Sequence, residues 1–161
     1  MGLSEESNGR NRVENNTYEW PPDTTLLIGD SILVGVVEDK LKKYRAKVRP
    51  FRGARVDDIY DYVAPLLRKR PANIILHVGS NDAIDKDSKD IFCEILRLKD
   101  HIESQLPNTK VILSCPTLRL DNGKANRTLR DLDKKLNKLA KVSSYEIVPN
   151  GNVIGSMIGK K

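Results

Sequence analysis

The chain has 161 residues, a formal net charge of +6, 39% hydrophobic and 5% aromatic side chains. That length fits one domain with a tail. No apolar run approaches a membrane span and no N-terminal apolar segment marks a secretory leader, so a cytoplasmic or nuclear location is expected.

The first 24 residues hold two Arg against five acidic side chains, while the remainder carries 26 basic and 17 acidic ones. Residues 1–23 are polar, rich in Asn and Glu, and finish near Trp20-Pro21-Pro22. They read as a disordered arm or linker, with Trp20 available to dock on the domain that follows. From Thr24 the pattern changes. Thr25–Ile28 is a short apolar run of high β-propensity, ended by Gly29-Asp30-Ser31. The next stretch is apolar and then strongly charged, which predicts a helix over about 33–44.

A second strand is expected at Lys47–Phe51, stopped by Arg52-Gly53. Val56, Ile59, Val63 and Leu66 recur at helical spacing and predict a helix over 56–69. Pro65 should kink that helix or end it early. Asn73–Val78 is nearly continuously apolar, the pattern of a strand buried in a parallel sheet. A long helix over 88–106 presents Ile91, Ile95, Leu98 and Ile102. Lys110–Ser114 reads as strand four. The last helix, 124–142, presents Leu129, Leu132, Leu136 and Leu139 on one side. Tyr145–Val148 is strand five, and residues 151–161 form a Gly-rich tail.

Five strands alternating with helices make a three-layer α/β/α sandwich on a parallel sheet, with the flavodoxin-like order 2-1-3-4-5. A final helix over the outer sheet edge is lacking from the pattern. In such sheets, ligands bind beyond the carboxyl ends of the strands near the switch in strand order. Strand one ends in Asp30-Ser31, strand two in Arg52-Gly53, and strand three in Gly79-Ser80-Asn81-Asp82. With that order the three turns converge. They would bring together a hydroxyl (Ser31), a backbone N–H that a ligand can approach closely (Gly53) and a side-chain amide donor (Asn81). That set provides a nucleophile and an oxyanion hole. Each residue also has a plainer reading: Ser31 as a helix N-cap, Gly53 for a positive φ, and Asn81-Asp82 as an Asx cap. Asp30, Ser80 and Asp82 are expected on the substrate side of the same patch.

These residues carry a resemblance. Leu26-Leu-Ile-Gly-Asp-Ser-Ile32 resembles the first block of the SGNH (GDSL-type) hydrolases. Gly53 stands where the second-block glycine is expected, and His77-Val-Gly-Ser-Asn-Asp82 resembles the third block, Gly-x-Asn-Asp. The resemblance spans about residues 25–150. It implies an esterase-type domain acting on a small ester, in which Ser31 attacks a carbonyl. Its oxyanion would be held by the Ser31 N–H, the Gly53 N–H and the Asn81 side chain. The runs Asp58-Ile-Tyr-Asp-Tyr62, Leu67-Arg-Lys-Arg-Pro71 and Ile75–Asp82 are further similar to SGNH domains of animal mobile-element proteins of the LINE type.

One block departs from the family. No Asp-x-x-His occurs, and the histidines are His77 and His101. His77 is expected to pack in or at the end of the sheet, and His101 to lie on a solvated helix face away from the patch. Ser31 therefore lacks its general base, and impaired hydrolysis is expected. A fragment missing its last block and a non-catalytic relative are both consistent with this.

An alternative role rests on charge. The last helix carries seven basic and two acidic side chains over 124–141, and Lys124, Arg127, Arg130, Lys134 and Lys138 could hold nucleic acid or another polyanion. No aromatics are interleaved for base stacking. Gly29–Leu33 is not the Gly-x-Ser-x-Gly elbow, since Leu33 occupies the second glycine position. Gly155–Lys161 falls short of a phosphate-binding loop. Cys93 and Cys115 are expected as reduced thiols, and no metal or other cofactor is implied.

Overall fold

The computed structural model describes residues 19–150. The strands are β1 (Thr25–Gly29), β2 (Ala46–Pro50), β3 (Asn73–His77), β4 (Lys110–Ser114) and β5 (Ile147–Val148). All pair in parallel, in the order 2-1-3-4-5. The helices are α1 (Val56–Leu67), α2 (Ser88–Gln105) and α3 (Gly123–Val142). The expected arm and tail fall almost wholly outside the described residues.

Alternation along the strands sorts the sheet into two faces. Leu26 and Ile28, Ile74 and Leu76, and Val111 and Leu113 are buried in one core with Val56, Ile59, Val63, Ile91, Ile95, Leu98, Ile102, Leu129, Leu132 and Leu136. That face carries the three helices, whose apolar stripes match the expected periodicity. Leu139, expected in the stripe, is only half-buried, and in α1 Leu67 is buried in place of Leu66. Pro65 lies inside α1, which ends two residues later and two short of the expected Lys69. Trp20 docks as anticipated: its N–H donates to the Lys69 carbonyl at 2.8 Å, and it packs against the core.

The opposite face differs from expectation. No α-helix forms over 33–44. Two 3-10 segments, Ser31–Gly35 and Glu38–Tyr44, lie there instead. Val36 between them is extended, at φ −80° and ψ 118°. Three valines flanking Gly35 disfavour continuous helix, by stiff β-branching and by glycine's backbone entropy. The second segment is anchored by Glu38, which accepts the Val48 N–H at 2.9 Å and the Arg49 guanidinium at 3.2 Å. The Val48 N–H foremost holds the Glu38 carboxyl below its ordinary range.

Candidate active site

Register places the site. Gly29 is aligned with Pro50 on one side and His77 on the other, so the turns after β1, β2 and β3 leave the sheet side by side. The Phe51 N–H donates to the Gly29 carbonyl at 2.7 Å, and the Asp30 N–H to the His77 carbonyl at 3.3 Å.

Side chains then stitch the three turns together. Asp30 is 1% exposed; its carboxylate accepts the Ile32 N–H at 3.1 Å and the Ser80 hydroxyl. Asn81 Nδ2 donates to the Ala54 carbonyl at 2.9 Å, next to Gly53. Asp82, fully buried, accepts the Val56 N–H at 3.0 Å and Lys86 Nζ at 3.1 Å. Lys86 also pairs with Glu94 at 2.9 Å. A buried carboxylate needs such partners, and here they fix one turn to the next.

Asp30, Ser80 and Asp82 are buried and their polar atoms tie the turns together; Asp30 and Ser80 also line the cleft beside Ser31, and Asp82 does not. The capping role read for Ser31 belongs to Asp30, whose carboxylate caps the first 3-10 segment.

Ser31 is exposed, and among the described residues its N–H meets no acceptor. The same holds for the Gly53 N–H. Gly53 has φ +71° and nothing within 4 Å of where a Cβ would stand, so the glycine serves backbone conformation rather than space. A backbone N–H left without an acceptor can help stabilise a developing oxyanion where it meets the reacting group.

Ser31 opens on a cleft of about 230 Å³ lined by Asp30, Ile32, Ser80, Leu118, Arg119 and Leu120 among others. Gly53 and Asn81 are not among its walls; Asn81 reaches it through Arg119 NH1, which donates to Asn81 Oδ1 at 3.0 Å. Arg119 was missed from the sequence.

Neither histidine is placed as the serine's base. His77 is 5% exposed, with Nδ1 2.9 Å from the Ser114 hydroxyl and Nε2 buried without a partner among the described residues. Burial lowers its pKa below the ordinary value of 6.5, against the attraction of Asp30. His101 packs on Tyr60, ring centroids 5.0 Å apart, bridging α1 and α2. Burial pushes the Cys115 thiol up to about 12, so it is not a thiolate.

A pH dependence follows from His77. Below pH 6.5 the unfolded chain binds a proton that the folded chain refuses, so stability falls as pH drops toward the lowered folded value. Above pH 6.5 this group has no effect. Between pH 7 and 5 the thermal midpoint should fall, with this group contributing at most about 1.4 kcal/mol per pH unit. His77→Gln should show a shallower fall; an unchanged slope counts against the assignment.

No family model matches the sequence, and no curated protein aligns with it significantly. Solved structures do match. A GDSL-like lipase from Bacteroides thetaiotaomicron has 17% identity over 79% of this chain and 68% of its own, with a TM-score of 0.69. A member of the lipolytic G-D-S-L family from Veillonella parvula has 17% identity over 85% and 84%, at 0.68. A catalytic mutant of an acetylxylan esterase from Geobacillus stearothermophilus has 16% identity over 78% and 74%, at 0.57. The fold is that of the GDSL-type hydrolases. Among the described residues of this GDSL-type fold, no group of three or more His, Cys, Asp and Glu is arranged to hold a metal ion. No described helix is long and apolar enough to cross a membrane.

Proposed function

We propose that this is an esterase-type SGNH domain in which Ser31 is the nucleophile toward a small ester. Gly53 and Asn81 complete its oxyanion hole. The observation that carries the reading is the stitched set of three turns, in which the Ser31 hydroxyl is exposed and the Ser31 and Gly53 N–H groups have no acceptor among the described residues. Structural neighbours named as lipases and an acetylxylan esterase support the reaction class. Turnover is slow in this chain, because neither histidine can take the serine proton. The mobile-element context remains part of the proposal, on the motifs quoted above. The test is covalent labelling of Ser31 by a fluorophosphonate at raised pH, where the Ser31 Oγ–P bond forms as fluoride leaves and solvent hydroxide takes the serine proton that no histidine here can accept. Labelling should be absent from Ser31→Ala.

A second reading is favoured by α3. Lys124, Arg127, Arg130, Lys134 and Lys138 are all exposed, and none forms an ion pair among the described residues. Their charge is thus available to a polyanion such as single-stranded nucleic acid. If all five engage phosphates, log affinity should fall with log salt at a slope of about −3.5. Anisotropy of a labelled oligonucleotide between about 50 and 200 mM salt measures this. Absence of binding at the lower salt refutes it.

A further inference from the structure

The cleft holds an arginine that the proposed chemistry does not use. Arg119 lies in the loop after β4, and its backbone is pinned from both sides by one side chain. Its N–H donates to Asn126 Oδ1, and its carbonyl accepts from Asn126 Nδ2, each at 2.7 Å. The guanidinium is equally fixed. Nε and NH2 donate to the two oxygens of Asp121 at 2.9 and 2.8 Å, a bidentate pair. With the fork occupied and its charge matched, Arg119 is not an anchor for an anionic substrate. What remains is NH1, which donates to Asn81 Oδ1 at 3.0 Å and lies 3.5 Å from the Ser80 carbonyl.

The consequence lies in the Asn81 amide. An asparagine that can turn its side chain by 180° presents either an N–H or an oxygen to a reacting centre, and the oxygen repels an oxyanion. Here both neighbours discriminate. Arginine only donates, so it accepts no approach from Nδ2; the Ala54 carbonyl only accepts, so it rejects Oδ1. A flip replaces two hydrogen bonds by a donor–donor and an acceptor–acceptor clash. The charged donor on Oδ1 also draws electron density from the amide and strengthens its remaining N–H as a donor.

We propose that Arg119 is a positioning residue that locks the Asn81 amide with Nδ2 toward the Ala54 carbonyl beside Gly53, so that the amide can serve as a donor and not as an acceptor. This rests on the reading of Asn81 as an oxyanion donor. Asp121 and Asn126 are the parts that hold the lock in place. The effect of Arg119 on reaction is thus transmitted wholly through Asn81.

The experiment uses the full chain with Arg119→Met, Arg119→Lys, Asn81→Ala and the Asn81→Ala/Arg119→Met double variant. Asn81→Ala should slow fluorophosphonate labelling by about 10²-fold, as loss of one oxyanion donor does. Arg119→Met should slow it by about 10-fold through misorientation. The double variant should match Asn81→Ala alone. Arg119→Lys should resemble Arg119→Met, because a single ammonium cannot fill a fork that serves Asp121 and Asn81 together. It also stands in if Arg119→Met fails to fold. In parallel, nuclear magnetic resonance of the Asn81 side-chain amide should show shifted resonances and faster proton exchange in both Arg119 variants. Additive losses in the double variant, wild-type labelling in Arg119→Lys, or unchanged Asn81 amide resonances would overturn the proposal. If the wild-type chain is not labelled, the esterase reading fails, and the amide resonances alone decide the role of Arg119.

Discussion

Replacement of Gly29 by alanine should cost about 3 kcal/mol or more of folding stability, the upper end for overpacked sites. A Cβ at this position would collide with the backbone carbonyl oxygen of His77 and stand 3.0 Å from Leu33 Cδ1. The first neighbour is main chain in the central pair of the sheet, so it cannot swing aside as a flexible side-chain end can. Relief requires β1 and β3 to part, and that strains the Asp30 N–H bond to the same carbonyl. Gly35→Ala is the matched control, since nothing lies within 4 Å of its Cβ direction. It should change stability by less than about 0.5 kcal/mol, the usual surface range. Urea titration checks both: the Gly29→Ala midpoint should drop at an unchanged slope. A midpoint equal to that of the wild type would show that the strand ends are not packed as described.

The other large effect is chemical. The wild-type chain should be labelled by a fluorophosphonate at one serine, and Ser31→Ala should abolish that labelling altogether. An ordinary serine hydroxyl is a weak nucleophile, so with hydroxide acting as base at raised pH the preference for Ser31 rests on stabilising charge at the phosphorus-bound oxygen. The Ser31 and Gly53 N–H groups, which have no acceptor among the described residues, are suited to that. Labelling elsewhere, persisting in Ser31→Ala, would sink the assignment of the nucleophile. The thermal midpoint of Ser31→Ala should stay near that of the wild type, because the exposed Ser31 hydroxyl makes no hydrogen bond among the described residues.

Much of the architecture was legible because the strands are short, apolar and separated by helices with clear stripes. Strand order followed from that alternation, and β4 was placed at its observed bounds. The stretch after Ser31 was misread for a specific reason. Apolar residues followed by charged ones suggest a helix in bulk, but Val34, Val36 and Val37 are β-branched and stiff at χ1, and Gly35 between them costs backbone entropy in a helix. In the site, the motifs located the turns but did not reveal which carboxylates look inward. Asp30 and Asp82 are buried by partners far along the chain, Ser80 and Val56, which no local pattern records. Arg119 escaped notice because its link to Asn81 joins residues 38 apart. Attention to the carboxyl end of β4, as for the other three strands, would have reached its loop.

The pairing of β1 with β3 joins Thr25 to Asn73, 48 residues away. Loop closure over such distances must precede the contacts that reward it, so folding is governed by non-local events and is slow for the chain's size. Ser31 and Asn81 belong to that same long closure. No local fragment and no early collapsed state can hold them together. Appearance of the serine's reactivity during refolding should coincide with formation of the central sheet, making the candidate site a late and cooperative product of folding.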